Sequence, residues 1–124
     1  IIMSDEGLNF AIEHTLLKQV ATRDEVIKLV EEAHEHQFYG VCVPPYFVAD
    51  AKKHIKALKS KSKLVTVIGF PQGYNHVQVK VEEIKRAVND GAHELDVVIN
   101  LAAFKSGDFN YVKNEAESIV TACN

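Results

Sequence analysis

The stretch Gly91-Ala-His-Glu-Leu-Asp-Val-Val-Ile-Asn100 decides the fold. Gly91 reads as the stop of a preceding helix, and Leu95-Asp-Val-Val-Ile-Asn100 as a β-branched strand with an acid in its middle. A carboxylate flanked by Leu95 and Val97 is costly if it faces a dry layer of helices. Asp96 is therefore expected to face a polar pocket, and strand alternation puts Val98 and Asn100 on the same side.

Working outward, the same alternation of a short apolar run and a longer amphipathic stretch repeats along the chain. A first strand is expected around Phe10 to Leu16. Thr22-Arg-Asp-Glu25 has the spacing of a capping box, opening a helix to about His36 with Val26, Leu29, Val30 and Ala33 on its buried stripe. Gly40-Val-Cys-Val43 is a second strand, stopped by Pro44-Pro45 because proline cannot donate to a sheet ladder. A helix over Val48 to Leu58 carries Lys52, Lys53, Lys56 and, just after it, Lys59, which read as a solvated face. Leu64 to Ile68 is the third strand, closed by Gly69-Phe-Pro-Gln-Gly73. A helix from Val77 to Asn89 places Val77, Val81, Ile84 and Val88 at helical spacing. After the fourth strand, Lys105-Ser-Gly-Asp108 leads into a helix ending near Cys123, with Asp108 as its N-cap.

Four βα units imply an α/β fold with a parallel sheet, since parallel strands need crossover connections and helices supply them. Two architectures remain. An open doubly wound sheet is complete at 124 residues, and would suit a small phosphorylated ligand. A (β/α)8 TIM barrel needs eight units, so residues 1–124 would form one partial domain, half of such a barrel with helices outside. The polar pocket demanded by Asp96 fits a barrel lumen better.

Composition narrows the function. Fourteen Lys plus Arg against seventeen Asp plus Glu give a formal charge of -3, too little positive field for a nucleic-acid partner. No apolar stretch approaches the roughly 18 residues of a membrane span, and the first residues lack a signal-peptide pattern, so no membrane partner and a cytoplasmic location are expected. Ile1 and Ile2 precede Met3, which leaves a start at Met3 or upstream of it open. Cys42 and Cys123 read as free thiols. Gly69 to Gly73 has neither the spacing nor the Lys-Ser/Thr of a P-loop and reads as a turn.

Five segments, in order and spacing, carry a resemblance: Ile12-Glu-His-Thr-Leu-Leu-Lys18, Tyr39-Gly-Val-Cys-Val-Pro-Pro45, Val67-Ile-Gly-Phe-Pro-Gln-Gly73, Gly91 to Asn100, and Lys105-Ser-Gly-Asp108. Together they resemble the deoxyribose-phosphate aldolases from Ile12 to the end of the chain. In that family they are the first four strands of a TIM barrel and the loops that follow. Glu13, Gln19 and Pro44 depart from the family's usual aspartate, proline and asparagine, and put local polar contacts in doubt.

The resemblance implies a class I aldolase that reversibly cleaves 2-deoxyribose 5-phosphate to acetaldehyde and glyceraldehyde 3-phosphate through a lysine Schiff base, with no cofactor or metal. A lysine attacks a carbonyl only when deprotonated, and an acid must then shuttle protons. Asp96 matches the family's acid in the fourth strand; a structural, hydrogen-bonded aspartate is the alternative. Cys42 matches a cysteine lining the substrate cavity, or is simply a small core residue. Thr15 matches a position near the cavity floor or wall, and Asn100 stands at the strand's C-terminal end, where barrel active sites are built, with plain structural roles at least as open for both. The family's lysines of the sixth and seventh strands have no counterpart in these 124 residues, so the chain alone is expected to be inactive. Lys18 and Lys105 fall in loops near the mouth, where an exposed amine is protonated at neutral pH.

A lone half-barrel would leave two sheet edges and an inward face open. Four to six exposed Val, Ile or Leu side chains would forfeit on the order of 10 kcal/mol. A self-associating, two-fold dimer, the fourth strand of each copy beside the first of the other and Val98 turned inward, is therefore expected. Like charges on the two Asp96 side chains oppose it.

Overall fold

The structure, a computed structural model, describes residues 7–124, so the reading of a start at Met3 lies outside the described residues. Its elements are β1 (Glu13–Thr15), α1 (Arg23–His36), β2 (Gly40–Val43), α2 (Val48–Leu58), β3 (Lys63–Ile68), α3 (Val77–Asp90), β4 (Glu94–Val97), α4 (Leu101–Lys105) and α5 (Phe109–Cys123). Short 3-10 turns at Leu8–Ala11 and Pro45–Phe47 precede β1 and α2.

Local chemistry sets most of these boundaries. Thr22 Oγ1 accepts from the Glu25 amide at 3.2 Å while Glu25 Oε2 accepts from the Thr22 amide at 2.8 Å, a complete capping box. Gly91 ends α3 at φ 106, in the left-handed region, and the Asp108 side chain accepts from Tyr111 to open α5.

The sheet is parallel throughout and its strands lie in sequential order, β1-β2-β3-β4. Register aligns Thr15 with Cys42, Cys42 with Val65, Val65 with Glu94, and Val67 with Asp96. Alternation then separates two faces. Val41, Val43 and Leu64 pack beneath α1 and α2, while Ile68, Leu95 and Val97 pack against α3 and α5. Val41, Val43, Leu64 and Ile68, fully buried, contribute roughly 1.5–3 kcal/mol each, and the partly buried Leu95 and Val97 less. The other face carries Cys42, Val65 and Val67, covered by Leu17 of the β1–α1 loop and, among the described residues, by no helix. Sequential order with helices on one face is the topology of a barrel wall. It overturns the doubly wound alternative, which needs a switch in strand order and helices on both faces.

Three expectations are corrected. Phe10 and Ala11 belong to the 3-10 turn, not to β1, because four-residue β2 can pair with only a short partner; its ladder with β1 runs from Gly40 N to Ile12 O at one end to Leu16 N to Cys42 O at the other. Likewise β4 ends at Val97. Its partner β3 stops at Ile68, the last ladder bond being Val98 N to Ile68 O at 2.9 Å, and the chain then turns into α4, which sequence reading missed. On α3 the buried residues are Lys80, Ile84 and Ala87, whereas Val88 is exposed. The neighbours in space select a stripe that includes a lysine, for reasons given below.

The inward face also differs from the bare apolar surface expected of a half-barrel. Its strand hydrophobes Val65 and Val67 are 1% and 6% exposed, and the exposed positions around them are Glu13, Thr15, Glu94 and Asp96.

Candidate functional site

The C-terminal ends of the strands open onto a cleft of about 520 Å³ lined by Leu17, Pro44, Val67, Phe70, Gln72 and Glu83, among others. Val67 forms part of its floor and is the register partner of Asp96. Asp96 lies on the helix-free face with its side chain exposed, as an acid on that strand requires. Among the described residues it has no cation within ion-pair distance.

Cys42 is buried at 3% exposure. Burial, then the negative charges of Asp96 and Glu13, push its thiol up to about 11. A thiol so disposed stays protonated at neutral pH and behaves as a small wall residue rather than a nucleophile. Desolvation first, then Asp96 and Glu94, also raise the Glu13 carboxyl above its ordinary value. The opposite edges of the sheet therefore feel one another across the inward face. At the far end of that face the Tyr39 hydroxyl donates to Glu94 Oε1 at 3.1 Å.

Thr15 lies beside Cys42 in register, its hydroxyl donating to Glu13 O at 3.0 Å. Asn100 is placed differently from the strand position expected: its Oδ1 accepts from the Ala103 amide at 3.0 Å and caps α4. Val98 packs over Gly73, where an added Cβ would stand 2.6 Å from Val98 Cγ1. Val98 lies one residue past the end of β4. Lys18 is bound to Glu25, whose carboxyl is lowered chiefly by that bond, and Lys105 ends α4.

What holds the mouth together escaped sequence reading. Lys80 and Glu115 are fully buried and paired at 2.9 Å. The remaining Lys80 donors go to Gly73 O at 2.6 Å and Val98 O at 2.8 Å, and Glu115 Oε1 accepts from the Asn100 amide at 2.8 Å. The pair thus ties the loops after β3 and β4 to α3 and α5, two residues beyond Asp96. Its signal was present in the sequence: Lys80 stands at i, i+4, i+7 with Ile84 and Ala87, in the frame of a buried stripe. Gly69 to Gly73 is a turn, closed by Gly73 N to Gly69 O at 2.7 Å, and the Gly69 amide is already taken by Glu83 Oε2 at 2.9 Å. That amide is not available to a phosphate.

A family model described as DeoC/LacD family aldolase matches residues 8–124. The deoxyribose-phosphate aldolase of Thermococcus gammatolerans is 49% identical over 116 residues, which are 92% of this chain and 52% of that relative. That of Metamycoplasma hominis is 49% identical over 118 residues, 94% of this chain and 53% of the relative. Among solved structures, the tetrameric deoxyribose phosphate aldolase of Aeropyrum pernix superposes with a TM-score of 0.80 at 31% identity, over 97% of this chain and 50% of that one. The chain spans about half the length of the curated relatives it matches.

Proposed function

Because the chain belongs to the DeoC/LacD family of aldolases, we propose that its residues form the first four βα units of an enzyme that reversibly cleaves 2-deoxyribose 5-phosphate to acetaldehyde and glyceraldehyde 3-phosphate. Residues 1–124 are on this reading one partial domain. The single observation that carries it is the exposed Asp96 carboxylate on the helix-free face, unpaired by any described cation and in register with the cleft residue Val67. In a Schiff-base aldolase a lysine of the remaining barrel attacks the sugar carbonyl and water leaves. Asp96 supplies and removes the protons that this exchange and the carbon–carbon cleavage require. Cys42 and Thr15 shape the adjacent wall, and Asn100 orders the loop at the mouth. The phosphorylated sugar is the small-molecule partner, no cofactor is needed, and the reaction belongs to the cytoplasm, where free thiols such as Cys42 and Cys123 persist. Among the described residues no helix is long and apolar enough to cross a membrane.

The test is complementation. The chain alone is expected to give no measurable cleavage, and mixing it with the C-terminal half of the Thermococcus gammatolerans relative should restore turnover. Asp96→Asn should then lower turnover by ~10²-fold or more. Full turnover by the asparagine variant in a reconstituted barrel would return Asp96 to a structural role. A second reading, a self-associating half-barrel module, rests on the unpaired outer edges of β1 and β4; there a second copy takes the place of the second half.

A further inference from the structure

An amine stands at the opposite end of the sheet from Asp96. Lys52 of α2 lays its stem across Gly91, where an added Cβ would meet Lys52 Cγ at 2.8 Å. Its Nζ lies 2.8 Å from His93 Nε2. The other ring nitrogen of His93, Nδ1, accepts from the Leu64 amide at 2.8 Å, and the His93 amide donates back to Leu64 O at 2.7 Å. These bonds assign the proton. A backbone N–H can only donate, so Nδ1 carries no hydrogen, and the neutral ring must carry its hydrogen on Nε2. That Nε2–H faces Lys52 Nζ, and the contact is a hydrogen bond only while Nζ is the free amine, since an ammonium has no lone pair to offer; the geometry therefore favours the unprotonated form.

The surroundings agree. Lys52 shares a cleft of about 490 Å³ with Lys56, Lys59, Lys63 and His93, and among the described residues no carboxylate lines it. Burial, then Lys56 and Lys63, lowers the Lys52 ammonium below the ordinary lysine value. His93 is lowered by burial, then by Lys52 and Lys63, with Glu94 opposing. An amine biased toward its free form, beside several other lysines, defines a ligand. We infer that Lys52 is a modification site that condenses reversibly with small aldehydes bearing a phosphate or other anionic group. The Nζ lone pair attacks the carbonyl carbon, and the carbonyl oxygen leaves as water with the two amine hydrogens, giving a C=N bond without any oxidant or metal. The neighbouring lysines neutralise the anionic group.

The probes are pyridoxal 5′-phosphate and pyridoxal, incubated with the purified chain at neutral pH, fixed with borohydride and mapped lysine by lysine. Lys52 is expected to label ~10-fold faster than the exposed Lys53 and Lys113, because the His93 contact favours the nucleophilic free amine. Pyridoxal 5′-phosphate should show that preference more strongly than pyridoxal. Lys56→Gln, an exposed change that leaves the fold intact, should slow labelling of Lys52 and narrow the gap between the two aldehydes. His93→Asn keeps an acceptor for the Leu64 amide but cannot reach Lys52, and should bring its labelling rate toward that of Lys53. Equal labelling of Lys52, Lys53 and Lys113 would overturn the site. Preferential labelling that ignores both the phosphate and Lys56→Gln would overturn its anionic specificity.

Discussion

Lys80 of α3 and Glu115 of α5 form an ion pair sealed from water, Nζ to Oε2 at 2.9 Å, both side chains 0% exposed. Every remaining donor and acceptor of the pair is spent on backbone of the two loops at the mouth of the cleft, at Gly73, Val98 and Asn100. Removing one partner strands a buried charge, which costs roughly 3–5 kcal/mol. Lys80→Met and Glu115→Gln should each lower the urea midpoint of unfolding strongly, and the double change Lys80→Met with Glu115→Leu should recover part of the loss. If Lys80→Met costs under about 1 kcal/mol, the pair does not hold the loops.

Cys42 should resist alkylation. With its thiol pushed up to about 11, its thiolate fraction near neutral pH is roughly a hundredfold or more below that of an ordinary thiol. Iodoacetamide followed by peptide mapping should therefore modify the exposed Cys123 first. Asp96→Asn removes a charge that raises Cys42 and should quicken its reaction; no change in rate would mean the two groups are not electrostatically coupled.

Glu13 makes the fold less stable as its carboxyl ionises. Its pKa is raised in the folded chain, by desolvation first and then by Asp96 and Glu94, so between the ordinary 4.5 and the raised value the native state holds the extra proton. Stability must then fall as pH rises through that window and stay lowered above it. Glu13→Gln should unfold at a higher urea concentration than the parent at neutral pH, with the difference vanishing toward pH 4.5. A variant less stable than the parent at neutral pH would contradict this sign.

Self-association through the β1 and β4 edges should be weak at neutral pH, because Glu13, Glu94 and Asp96 of each copy would enter one lumen, and stronger on acidification. Sedimentation equilibrium at several concentrations and two pH values measures it. Asp96→Asn should tighten the assembly; a monomer with no concentration dependence at either pH would rule out the paired half-barrel.

What was legible in the chain was local. The Thr22 and Glu25 capping box, the helix stop at Gly91, the Asp108 cap and the stripe Val26, Leu29, Val30 and Ala33 all rest on contacts within one or two turns, so residue spacing alone determines them. The motifs around Cys42, Asp96 and Asn100 likewise pointed to the family before any coordinates.

Tertiary structure decided the rest, because it depends on partners far apart in the chain. The length of β4 follows from where β3 ends, and that diverted Asn100 from a strand position to a helix cap. Burial of Lys80 requires Glu115, 35 residues away, and carbonyls from two loops; its place in the stripe with Ile84 and Ala87 is legible in the sequence, but those partners are not. The reluctance of the Cys42 thiol to ionise comes from burial and from charges on β1 and β4, which only the assembled sheet brings to one face. A sequence prescribes which residues alternate, whereas the charge and dielectric surrounding each of them exist only once the strands have met.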